Sequence, residues 1–143
     1  MSKGNTFEND LVKLIFNGTA IANIADNAAS SPLTDLRVGL STADVGEAGD
    51  QTTSEATYTS YARKLVARTS GGWTVTGNAV ENTAAITFDQ CTGGSNTITH
   101  FHVGTATSGA GKVLYKGALS ASLAVSNGIT PEFATGQLDI SED

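Results

Sequence analysis

Alternation of apolar and polar positions with a period of two runs through most of this chain, and it is clearest over residues 98–119. Thr99, Phe101 and Val103 fall on one side of an extended backbone, and Ile98, His100 and His102 fall on the other. After Thr107, Ser108, Gly109, Ala110 and Gly111, the residues Val113, Tyr115, Gly117 and Leu119 again share a side. Two glycines that can take positive φ let the chain reverse there, so the pattern predicts a long antiparallel hairpin. Leu36, Val38 and Leu40 predict a strand over 36–41. Residues 58–69 predict another, with Tyr61, Arg63, Leu65 and Ala67 alternating with Ala62, Lys64, Val66 and Arg68. Gly71 and Gly72 lead into a strand at Trp73, Thr74, Val75 and Thr76, and Gly77 and Asn78 turn the chain into a strand ending at Phe88. Residues 120–126 predict a further strand, Asn127 and Gly128 a turn, and residues 132–140 a closing strand with Phe133, Leu138 and Ile140 as core candidates. About eight strands punctuated by turns roughly every ten residues predict an all-β chain, a single-domain antiparallel β-sandwich or small barrel.

One segment departs from this period. Phe7, Leu11, Leu14 and Ile15 recur at helical spacing, Asn5 to Glu8 can form a capping box, and Asn17 with Gly18 marks the stop. So short a helix is marginal alone, and it docks either on the end of the sheet or on a neighbouring subunit. The organisation expected is one domain over residues 1–143, with 1–18 as an N-terminal helix or arm and 19–143 as the β-domain. Residues 20–29 are weakly apolar and predict irregular or short-strand structure, broken by Ser30, Ser31 and Pro32. Residues 42–57 form a long acidic loop bearing Asp44, Glu47, Asp50 and Glu55. Loops of that length in a small β-protein tend to carry contacts.

Composition sharpens the function more than the fold. Charged residues make up only 15% of the chain and glycine occurs 16 times, which suits short strands and polar turns. A formal charge of −6 with eight Lys and Arg argues against nucleic acid as the main ligand. The single cysteine, Cys91, leaves no intrachain disulfide and fits assembly in a reducing cytoplasm. The polar start of the chain is no secretory signal, and no apolar run reaches membrane-spanning length, so a soluble protein without a membrane partner is expected.

Candidate chemistry is thin. There is no nucleophile elbow. Gly109, Ala110, Gly111 and Lys112 suggest a phosphate loop, but Ala106 stands where its first glycine belongs and Val113 where its Ser or Thr belongs. His100 and His102 have a zinc-compatible spacing on one strand face but need a third ligand. The acidic loop lacks the alternate-position oxygens of an EF-hand. Trp73 with Tyr58 and Tyr61 could stack a sugar ring, although core or interface packing is the commoner role for such residues. The expectation is a chain with no catalytic residues, no metal and no cofactor, and no enzymatic activity.

Several runs carry a family resemblance: Gly39 through Gly49 with Asp44 and Glu47, then Glu55, Tyr58, Tyr61 to Arg63, Arg68 to Trp73, Thr99 to Phe101, Ser108 to Gly111, Tyr115 to Leu119, and Gly128 to Pro131. In this order, across residues 36–143, the chain resembles a family of small virion proteins of tailed bacteriophages, described as tail-fibre-like and similar in compact β-fold to capsid decoration, or cement, proteins. Val45 stands where those proteins have proline. The resemblance implies a capsid decoration protein, a homotrimer that binds the major capsid protein on the virion surface after assembly in the bacterial host cytoplasm. A short tail-fibre or minor tail subunit is the alternative, and a carbohydrate-binding module is a second. The interface candidates are Phe7, Leu11 and Leu14 of the helix, Asp44 and Glu47 of the acidic loop, and Tyr58, Tyr61, Arg63, Arg68 and Trp73.

Overall fold

The computed structural model describes residues 5–21 and 33–142, the side chain of Asn5 excepted. The elements are α1 (Asn5–Asn17), β1 (Asp35–Ser41), β2 (Lys64–Ala67), β3 (Trp73–Thr76), β4 (Ala79–Asn82), β5 (Ile86–Thr87), β6 (Ser95–Gly104), β7 (Val113–Ser126), β8 (Glu132–Phe133) and β9 (Asp139–Ser141). The predicted all-β fold with a short N-terminal helix is the fold adopted. The described strands form three sheets of order β2-β1-β6-β7, β3-β4-β9 and β5-β8. The segment expected to be irregular at 20–29, with its Ser30 to Pro32 break, lies outside the described residues from position 22 onward. The chain divides into two compact units. One comprises Met1–Asp35, Val66–Ala85 and Phe133–Asp143, and the other comprises Leu36–Leu65 and Ile86–Glu132.

In the first unit, α1 packs on β3 and β4. The face it buries is Glu8, Val12 and Phe16, spaced four apart, and not the predicted stripe: Phe7 is 41% exposed while Val12 and Phe16 have no exposed surface. The reason is Trp73. Its buried ring meets Phe16 edge-to-face with centroids 4.8 Å apart, and this pair fixes the rotation of the helix. Gly18 ends the helix at φ +64, as predicted. β3 and β4 form a hairpin with Thr76 opposite Ala79, and Gly77 at φ +63 occupies the first position of the two-residue turn, as a type II′ turn requires.

The strand predicted to run on to Phe88 stops at Asn82. Asn82 is fully buried, and its side chain donates to the carbonyls of Ala84 and Ala134 (both 2.8 Å) and accepts from Leu138 N–H (2.9 Å). These bonds replace a ladder with a corner. For the same reason the predicted closing strand is two short ones, β8 and β9, with a turn between them at which Gly136 takes φ +70. Leu138 and Ile140 are core residues as expected, whereas Phe133 is only half-buried.

In the second unit, β6 pairs antiparallel with both β1 and β7. Val38 faces Val103 and Leu40 faces Phe101, and all four are buried. The predicted central hairpin is therefore present. Its second strand is longer and less regular than expected, because residues 120–126 continue β7 and do not form a separate strand. Two register shifts interrupt β7. Leu114 has no partner between Val113 and Tyr115, so those two residues do not share a side, and residues 119–122 have no partner between Ala118 and Leu123. The predicted strand over 58–69 shrinks to β2, with Ser60 at φ +81 in the irregular run before it. The acidic loop folds back on β1: Ala56 N–H donates to the Leu40 carbonyl (2.9 Å), Thr42 N–H donates to that of Ser54 (2.8 Å), and Val45, Gln51 and Ala56 are buried.

Candidate functional site: a buried arginine clamp

The densest polar arrangement lies in the second unit around Arg63. The residue is 4% exposed, and each nitrogen of its guanidinium is engaged. Nε and Nη2 grip the two oxygens of Glu55 at 2.6 and 2.7 Å. Nη1 donates to the Ala106 carbonyl (2.8 Å), and Nη2 to those of Gln51 (3.0 Å) and Gly109 (2.9 Å). A planar fork of five N–H donors meets this mixed demand, and lysine would not. The clamp holds the acidic loop, through Gln51 and Glu55, and the tip of the β6–β7 hairpin, through Ala106 and Gly109.

Glu55 also accepts the Tyr61 hydroxyl (3.0 Å), which itself accepts from Leu40 N–H (3.0 Å). Burial pushes the Tyr61 phenol well above its usual range. Gln51 completes the frame. Its N–H donates to the Gly111 carbonyl (3.0 Å), and its Oε1 accepts from Ala106 N–H (2.7 Å). A Cβ at Gly104 or Gly111 would stand 2.2 Å from the Gln51 side chain, so both positions must be glycine for the amide to enter.

Beside this frame, Ser41 Oγ and His102 Nδ1 lie 3.0 Å apart, and neither residue has exposed surface. The imidazole lies against Gly39, where a Cβ would come within 2.2 Å of Nε2. Burial, with a smaller contribution from Arg63, lowers its pKa to about 4 against an opposing pull from Glu55, so His102 is neutral at pH 7. A serine–histidine pair with no exposed atom cannot reach a substrate. Its chemistry is that of an internal hydrogen bond, which fixes β1 to β6.

The surface above carries a second, weaker cluster. Lys116 Nζ meets Asp44 Oδ1 at 2.9 Å and Glu47 Oε1 at 3.3 Å. The N–H of Gly46, followed by Lys116, holds the Asp44 carboxyl below its ordinary 3.8, and Thr52 does the same for Asp50.

In the first unit, Arg68 performs a related task. It donates to the carbonyls of Leu14, Ile15 and Leu33, all at 2.6 Å, and so closes the C-terminal turn of α1.

The ten interface candidates thus divide. Phe7, Asp44 and Glu47 are exposed, and Leu11, Leu14, Tyr61 and Arg68 are half-buried. Tyr58, Arg63 and Trp73 are inside, at 3%, 4% and 0% exposure, so Arg63 does not present a charge outward and neither Tyr58 nor Trp73 offers a ring face to a sugar. The pattern of residues missed Gln51 and the pairing of Ser41 with His102. The signal for both was Gly39 inside β1 and Gly104 at the end of β6, where a missing side chain marks a close approach.

The fold and this clamp define a small β-rich chain whose polar side chains are used to stiffen loops. A family model described as Podophage GP4 fiber I protein gp80 matches residues 2–141. The chain belongs to this family of phage virion proteins, tail-fibre-like as the resemblance implied. No curated protein matches its sequence.

Proposed function

We propose that the chain is a non-enzymatic structural subunit of a phage fibre, incorporated into the virion in several copies. The observation that carries this reading is the Arg63 clamp in a chain of the fibre family: a buried charge network holds two loops rigid while their outer surfaces remain free for contact. Asp44 and Glu47 stand on the exposed side of one of those loops, and Thr107 and Ser108 on that of the other. A contact surface of this kind works by fixed shape and repeated weak interactions, with little ordering entropy lost on assembly. Cys91 is a free, buried thiol, which suits assembly in the reducing cytoplasm of a bacterial host.

The test is fractionation of purified virions into capsids and tails, followed by detection of the chain with an antibody. Recovery with tails supports the fibre reading. Recovery with capsids transfers the protein to the decoration role, with the major capsid protein as partner. Absence from virions overturns both. Light scattering of the purified protein then distinguishes the trimer that the resemblance implied from an even-numbered assembly.

A further inference from the structure

The β3-β4-β9 sheet buries one face, with Trp73, Val80, Asn82 and Ile140, and leaves the other open. On the open face Glu81 of β4 stands directly opposite both Thr74 of β3 and Asp139 of β9, so a hydroxyl and two carboxylates form one row across three strands. The face is concave there, with a cavity of about 160 Å³ lined by Thr74, Thr76, Ala79, Val80, Glu81 and Asp139. Like charges directly opposite each other on a ladder oppose its pairing. Several other carboxylates are answered within the chain: Glu55 by Arg63, Asp89 by Lys64, and Asp44 and Glu47 by Lys116. Among the described residues Glu81 and Asp139 have no hydrogen-bond or ion-pair partner, and both are exposed.

The chain carries a matching counter-charge elsewhere. Of the described lysines, Lys64 and Lys116 are paired and Lys13 is half-buried on α1, whereas Lys112 is exposed and has no carboxylate partner. Lys112 stands at the tip of the β6–β7 hairpin, just after the exposed Thr107, Ser108, Gly109 and Ala110, whose small side chains let the tip enter a concavity. The Arg63 clamp holds this tip through Ala106 and Gly109, so docking costs it little freedom.

We propose that the hairpin tip of one copy docks on the open β3-β4-β9 face of a second copy, with Lys112 seated between Glu81 and Asp139. Charge complementarity selects this occupant. Copies of a chain with net charge −6 repel one another unless a cation meets an anion pair where they touch, and Lys112 is the exposed, unpaired cation that each copy offers. The two surfaces differ, so the contact passes from copy to copy, giving a ring where the rotation between copies closes and a filament where it does not.

The inference deepens the fibre reading and rests on it for its place in the virion, but it is tested on the purified protein. In sedimentation velocity the unmodified protein self-associates with rising concentration, and added salt weakens the association. Lys112→Glu weakens it at least about tenfold, as does Glu81→Lys combined with Asp139→Lys, both with unchanged circular dichroism. An equimolar mixture of these two variants restores association, because each offers the charge the other lacks. Crosslinking reads the position. Cys91 is buried, so introduced cysteines are the accessible thiols. A short bis-maleimide joins an Ala110→Cys copy to a Thr76→Cys copy and does not join it to a copy with Ser122→Cys, an exposed position on β7.

A monomer up to millimolar concentration, variants that associate like the parent, a mixture that stays monomeric, or equal crosslinking of the control overturns the proposal. So does association that requires added calcium and ignores Lys112→Glu, which would make the face a cation site. A virion protein that stays monomeric overturns the contact alone, and Lys112-dependent association of a protein absent from virions overturns the functional reading alone.

Discussion

Two arginines in this chain do the same job in different surroundings. Arg63 and Arg68 each gather three backbone carbonyls from segments distant in sequence. Arg63 does so buried, beside a bidentate carboxylate, in a frame of polar side chains. Arg68 does so half-exposed, at a helix end next to an apolar core of Val12, Phe16 and Trp73. The lesson is that the cost of removal depends on burial and counter-charge, and the number of hydrogen bonds is a poor guide to it.

The comparison is sharpest in a pair of substitutions. Arg63→Met removes a buried guanidinium from Glu55 and from three carbonyls at once and is expected to cost about 3–5 kcal/mol, while Arg68→Met, which removes no paired carboxylate, costs about 1–2 kcal/mol. Urea unfolding of the two variants measures the difference, and equal losses would break the distinction.

Acid probes the same frame without mutation. His102 has a folded pKa of about 4, below its ordinary 6.5, so the unfolded chain takes up the proton first on acidification. Its contribution to stability is complete above pH 6.5 and drains as pH falls towards 4, by on the order of 3 kcal/mol. Asp44 and Asp50, both lowered from 3.8, contribute in a separate window below that value. Unfolding curves between pH 7 and 4 should slope downward in the parent and be flat over this range in His102→Gln.

Gly39→Ala drives a methyl into the His102 ring and is expected to cost about 1–3 kcal/mol, with a shift in the imidazole resonances that identifies the contact. At the small end, Lys116→Ala removes an exposed ion pair and should change stability by less than about 1 kcal/mol. A larger loss would mean that the acidic loop depends on its surface charges as well as on the clamp.

The sequence by itself determined β1, the antiparallel β6–β7 hairpin, the β3–β4 hairpin turned by Gly77 and Asn78, and the extent of α1 ended by Gly18. Each of these is local: a period of two or of 3.6, closed in the helix and the two hairpins by a glycine at positive φ. The tertiary structure decided which faces are buried and where regular strands stop. Helix rotation depended on Trp73 meeting Phe16. The predicted strand over 58–69 failed because Tyr61 and Arg63 gain more by turning inward to Glu55 than by standing on a regular ladder. Long β-segments broke at Asn82, where a buried amide replaced pairing with a corner. These outcomes rest on partners between six and more than fifty positions away, and the spacing of residues along one segment contains no information about them.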